Sequence, residues 1–114
     1  VMDDAGNVIS NEVWAQDLDQ MQVTDGMILD PDTGNVYVAD FSPNAIAKIS
    51  PDGTVTRIAQ SPDSDGTNGE LDQPGEPIIW QGKLVITCFD LVVDPSKVNT
   101  AHQLPATMSE LDLE

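Results

Sequence analysis

Thr24-Asp25-Gly26-Met27-Ile28-Leu29-Asp30, followed by Gly34-Asn35-Val36-Tyr37-Val38-Ala39, is the stretch that decides the fold. Two short apolar runs flank a turn built from Asp30, Pro31, Asp32, Thr33 and Gly34. Runs of this length, rich in β-branched residues and bounded by turn formers, read as paired strands. The same grammar continues outward through Ala45-Ile46-Ala47-Lys48-Ile49 and Thr54-Val55-Thr56-Arg57-Ile58. It resumes in Pro77-Ile78-Ile79-Trp80, Lys83-Leu84-Val85-Ile86-Thr87 and Thr107-Met108-Ser109-Glu110-Leu111. No stretch keeps a helical period over the roughly 10 residues such an assignment needs. Residues 16–21 are the least regular, and residues 95–103 have room for a short helical turn. The fold class is all-β.

The strands repeat. Gly26-Met27-Ile28-Leu29 aligns with Gly75-Glu76-Pro77-Ile78 at an offset of 49 residues, which sets Glu76 in the register place of Met27. Val36 to Phe41 aligns with Leu84 to Phe89 at 48, and Gly6-Asn7-Val8-Ile9 with Gly53-Thr54-Val55-Thr56 at 47. Four strands per roughly 40–50 residues is the period of an antiparallel β-propeller blade. Residues 1–23 then read as outer strands of a preceding blade and 24–72 as one complete blade. Residues 73–114 read as the inner part of the next blade plus a C-terminal tail. Propellers close with about four to eight blades, and closure hides the sheet edges. About two to two and a half blades leave two open flanks. The missing blades belong to a longer chain or to further copies of this one, three two-blade units making six blades.

Composition narrows the function. The chain has 114 residues, 20 acidic and four basic, a net charge of −16 and 39% hydrophobic residues. Lys48, Arg57, Lys83 and Lys97 are scattered singly, so nothing marks a surface for nucleic acid or for an anionic membrane. No apolar run approaches the roughly 20 residues of a membrane helix. Such a charge favours solubility and attracts cations. The compartment stays open between cytoplasmic and exported. Cys88 is alone, which excludes an internal disulfide and a cysteine zinc site, and beside Phe89 it reads as a buried thiol. His102 is the single histidine and no Gly-x-Ser-x-Gly elbow exists, so no nucleophile triad is expected. Trp14 and Trp80 read as blade-core residues. The run Asp30-Pro31-Asp32-Thr33-Gly34-Asn35 lacks the glycine and glutamate spacing of an EF-hand loop and reads as a turn. Residues 63–70, the densest group of oxygen donors, read as a polar loop.

The segment from Thr24 to Ala39 resembles the PDGMxxD…G.lwVA motif of the senescence-marker-protein/gluconolactonase (regucalcin-like) six-bladed propellers. Ile46-Ala47-Lys48-Ile49-Ser50-Pro51-Asp52-Gly53 resembles the same family's I.ri.pdG, and the likeness covers roughly residues 4–90. It implies a lactonase acting on a small lactone or sugar acid, with one divalent metal, calcium or zinc, at the channel mouth. In that family the Asp of the motif is a metal ligand and the general base; here it is Asp25. Thr24 stands where the family has Pro. Gly75-Glu76-Pro77-Ile78-Ile79-Trp80 resembles the GEgPvW motif that presents the family's Glu ligand, which marks Glu76 as a second metal-ligand candidate. Internal repetition accounts for that likeness equally well, and the family's two Asn ligands have no counterpart. A single chain is therefore expected not to be catalytically competent. The alternative is a non-catalytic binding or self-assembling propeller module.

Overall fold

The computed structural model describes residues 1–89, 98–99 and 102–113. Among these residues seven strands form, in the order β1 (Thr24–Leu29), β2 (Val36–Asp40), β3 (Ala45–Ile49), β4 (Val55–Gln60), β5 (Pro74–Trp80), β6 (Lys83–Cys88) and β7 (Met108–Asp112). They make two antiparallel sheets, β1-β2-β3-β4 and β5-β6-β7, with every neighbour also next in sequence. This is the all-β propeller-blade pattern: one four-stranded sheet and the inner three strands of a second. No helix among the described residues is long and apolar enough to cross a membrane.

Turn chemistry sets the strand ends. Between β1 and β2, Asp30 Oδ1 accepts the Asp32 N–H at 3.0 Å and its other oxygen accepts the Thr33 hydroxyl at 2.5 Å. Gly34, at φ +76°, supplies the left-handed step that closes the loop onto the Asp30 carbonyl. The Thr33 hydroxyl, above all, holds the Asp30 carboxyl below its ordinary value. Asp52 and Asp65 use the same device on Thr54 and Thr67. These carboxylates are consumed by turns, as the turn reading of residues 30–35 expects.

The two sheets pack through their facing apolar sides. Tyr37, Ala39 and Ile46 of the first meet Leu84, Ile86 and Cys88 of the second, with Leu71 buried among them and Ile28 and Ile79 at the margin. The opposite side of the first sheet carries Val38, Ala47, Ile49 and Val55, covered by Ala15 and Met21 from the segment ahead of β1. Buried polar groups tie the loops to this core. The Asn44 amide donates to the carbonyls of Pro62 and Leu71 at 3.0 and 2.6 Å, and its oxygen accepts the Gln73 N–H at 2.8 Å.

Within residues 1–23 the structure draws one isolated antiparallel bridge, Met2 to Val8. Around it, residues 17–21 form a single tight turn, Met21 N–H donating to the Asp17 carbonyl. Trp14 and Trp80 are 54% and 58% exposed, because both lie on flanks that no sheet covers, not in a blade core. The register of Glu76 also moves, as shown below. The helical turn anticipated at 95–103 falls largely outside the described residues.

Candidate functional site

Asp25 is the second residue of β1 and Glu76 the third of β5, and these two inner strands lie side by side. Both carboxylates are solvent-exposed. Asp25 Oδ2 lies 3.6 Å from the point a Cβ on Gly75 would occupy. The Glu76 carboxylate fills the space a Cβ on Gly26 would take, and the Gly75 carbonyl lies 2.7 Å from that same point. Each acid therefore reaches over the glycine that neighbours the other. Absence of side chains at 26 and 75 leaves each carboxylate room against the opposite strand.

The strand ends are held by a buried anchor that sequence reasoning did not single out. Asp40, fully buried at the end of β2, accepts N–H bonds from Gln22 at 3.0 Å and Val23 at 2.8 Å. The Phe41 N–H in turn donates to the Val23 carbonyl at 2.8 Å. Arg57 Nη2 lies 3.6 Å from Asp40 Oδ2. Asp40 thus fixes the chain two residues before Asp25. Next to it, Phe41 and Phe89 stack with ring centroids 5.0 Å apart, and the Phe89 ring sits 2.8 Å from the Cβ position of Gly75.

Phe41 and Phe89 also correct the repeat register. Phe41 N–H bonds the Val23 carbonyl, and Phe89 N–H bonds the Gln73 carbonyl. Met27 pairs with Val38 and Pro77 with Ile86. With β2 and β6 offset by 48, β1 and β5 are offset by 50, so Glu76 is the counterpart of Gly26 rather than of Met27, and Gly75 that of Asp25. The difference lies in the hairpins: Leu29 and Val36 bracket the β1–β2 loop seven positions apart, whereas their counterparts Ile79 and Leu84 are five apart. Asp25 and Glu76 are therefore not repeats of each other. They are acids at different register positions on neighbouring strands of consecutive sheets.

The remaining candidates stay apart from this pair. The loop 63–70 satisfies itself: Asp65 Oδ1 accepts the Thr67 N–H and hydroxyl, and Glu70 the Asn68 N–H. Cys88 is buried and free, 3.6 Å from Ser109 Oγ, in agreement with the inert-thiol reading. Among the described residues no three His, Cys, Asp or Glu side chains gather as a metal-binding group. Two of the basic side chains are engaged in ion pairs, Arg57 with Asp40 and Lys83 with Glu110 and Asp112.

A comparison with curated proteins gives no match. The family comparison does: residues 1–69, which contain the whole of the first sheet and Asp25, match the SMP-30/Gluconolactonase/LRE-like region. That match spans more than half of the 114 residues, and the chain belongs to this family of propellers.

Proposed function

We propose that the chain is part of a divalent-metal-dependent lactone hydrolase acting on a small sugar-acid lactone, with Asp25 as metal ligand and general base and Glu76 as a further oxygen donor. The observation that supports this reading is that Asp25 reaches Gly75 and Glu76 reaches Gly26 across the contact between β1 and β5. Exposed carboxylate oxygens are the donors a hard cation such as calcium takes, six to eight at a time. The pair fits as part of such a shell, and the other donors come from blades beyond these two sheets. A bound cation polarises a lactone carbonyl and lowers the pKa of its water. Asp25 would accept the proton of the attacking water at its carboxylate. Asp40, through Gln22 and Val23, keeps Asp25 in place, and the side-chain-free surface of Gly75 leaves room beside it. A single chain is not competent on this reading.

Hydrolysis of an aldonolactone by the completed ring, with added calcium or zinc and with chelator, tests it. Asp25→Ala is expected to lower kcat by about 100-fold or more, and chelation to abolish turnover. Activity that survives both refutes the assignment. The second reading, a non-catalytic assembly module, is favoured by the exposed apolar flanks at Met27, Leu29, Ile78 and Trp80. It predicts no aldonolactone hydrolysis and a stability indifferent to metal.

A further inference from the structure

We propose that Phe89 is the substrate platform beside Asp25: its ring takes the C–H face of the lactone ring and so selects lactones whose hydroxyls leave one face clear. Resting on the reading of Asp25 as metal ligand and base, this assigns Phe89 the work of orienting and sorting the substrate. Phe89 follows β6 directly, and its N–H donates to the Gln73 carbonyl at 3.3 Å, which ties its backbone to the start of β5. Its side chain points back over that strand. Ring carbons Cδ1 and Cε1 both lie 2.8 Å from the point a Cβ on Gly75 would occupy, and Asp25 Oδ2 lies 3.6 Å from that same point. Ring and carboxylate therefore border one spot over Gly75, which has no side chain to separate them. The two strands that wall this spot, β1 and β5, are in contact within the chain. The spot is thus formed by these two sheets whatever blades flank them.

The ring is set in advance. Phe41 stacks on it with ring centroids 5.0 Å apart and planes inclined by 19°. The two phenylalanines hold the same register place in consecutive blades, yet Phe41 is 8% exposed and Phe89 is 37% exposed. One closes the seam between the sheets, and the other projects from it beside Asp25. An aromatic ring has only two side-chain torsions to lose on binding, and here Phe41 and Gly75 already restrict them. Phenylalanine offers no polar atom, so it reads carbon–hydrogen surface. A hydroxyl pressed against it would lose its water and gain no partner. In a sugar lactone the ring hydrogens of one side form such a surface when the hydroxyls are turned to the other.

Kinetics of the complete ring on two epimeric aldonolactones test this, one with a clear C–H face and one with a hydroxyl turned onto it. The parent should favour the first by about 10-fold in kcat/KM. Phe89→Ala should raise KM for the first by about 10-fold with kcat little changed, since a platform holds substrate and transition state alike, and should level the two epimers. Phe89→Tyr should keep both values near those of the parent. Gly75→Ala is a second probe: its methyl strikes the ring but meets Asp25 only at ordinary contact distance, so it should reproduce the rise in KM. A Phe89→Ala protein that loses kcat while KM and the epimer ratio stay as they were overturns the proposal, as does a parent with no preference. Titration with the matching aldonolactam, which resists hydrolysis, keeps the two readings apart. Binding that weakens about 10-fold in Phe89→Ala sustains the platform even where the lactones are not turned over, and the hydrolase reading alone then fails. Binding indifferent to Phe89 sinks the platform with hydrolysis intact. Should Phe89→Ala misfold, Phe89→Leu keeps the apolar volume without the flat face and is read by the same outcomes.

Discussion

Replacing Gly26 by alanine probes the closeness of β1 and β5 directly. The new methyl would collide with the Glu76 carboxylate and lie 2.7 Å from the Gly75 carbonyl oxygen. The first collision is cheap, since the end of the Glu76 side chain can swing toward solvent. The second is not, because a backbone oxygen moves only if the strand moves, by about half an ångström for ordinary contact. Overpacking of this kind costs about 1–3 kcal/mol. Against it stands about 0.4–1 kcal/mol gained because alanine has less freedom than glycine in the unfolded chain. The net expectation is a loss of about 1–2 kcal/mol, or a fall in Tm of about 5–15 °C for a domain of this size. Urea unfolding of Gly26→Ala, Glu76→Ala and the double variant separates the two collisions. The double variant should recover the carboxylate's share and keep the backbone's. Gly82→Ala is the control: at φ +78° with nothing within 4 Å, it should cost only the left-handed strain, about 1–2 kcal/mol. A Gly26→Ala protein as stable as the parent would refute the close approach of β1 and β5 on which the proposed roles of Asp25 and Glu76 rest.

Other substitutions test the scaffold. Asp40→Ala strands Arg57 and two backbone N–H groups, and should cost about 3–5 kcal/mol in urea unfolding. Leu84→Ala, at a fully buried position between the sheets, should cost about 2–5 kcal/mol. Asp3, Asp30, Asp52 and Asp65 are all held below 3.8 by hydrogen bonds, chiefly from Asn7, Thr33, Thr54 and Thr67 respectively. Their contribution is present above 3.8 and is lost as pH falls through the lowered values. An acid titration of stability should therefore show a limb below that pH that Asp30→Asn and Asp52→Asn flatten. Lys83 is shifted the other way, above 10.5, chiefly by Glu110. Its contribution is full below 10.5 and fades as pH rises through the raised value, so Lys83→Met should remove an alkaline limb.

Strands and their turns were legible because each apolar run ends in residues whose backbone preferences leave little choice. Asp30-Pro31-Asp32-Thr33-Gly34 dictates its own loop, and β2 and β6 are read from their alternation alone. Asp25 stands out as a candidate for the same reason, sitting in a turn-flanked motif with a family likeness. The place of Glu76 was misjudged by one residue because the β1–β2 loop is two residues longer than the β5–β6 turn, so no single offset carries both strands. The bond from the Phe89 N–H to the Gln73 carbonyl, matching that from Phe41 to Val23, fixes the β1-to-β5 offset at 50. The equal spacing of Phe41 and Phe89 was in the sequence; their stacking, and the dependence of Gly75 on it, was not. Buried Asn44 and Asp40 were hidden more deeply. Their value comes from carbonyls and N–H groups that reach them from loops distant in sequence. Trp14 and Trp80 misled in the opposite sense, since side-chain size predicts burial only where another surface arrives to cover it.

The buried thiol between the sheets has a use of its own. Cys88 holds the position in β6 that Asp40 holds in β2, and its thiol lies 3.6 Å from a hydroxyl, Ser109 Oγ, where Asp40 accepts from backbone N–H groups. It is the only cysteine in the chain and is 3% exposed. A thiol so placed can react with an alkylating reagent only when the seam between the two sheets opens. The protein therefore carries a built-in chemical clock. The rate at which Cys88 is alkylated measures how often the two sheets come apart, with no engineered label and no need to unfold the rest.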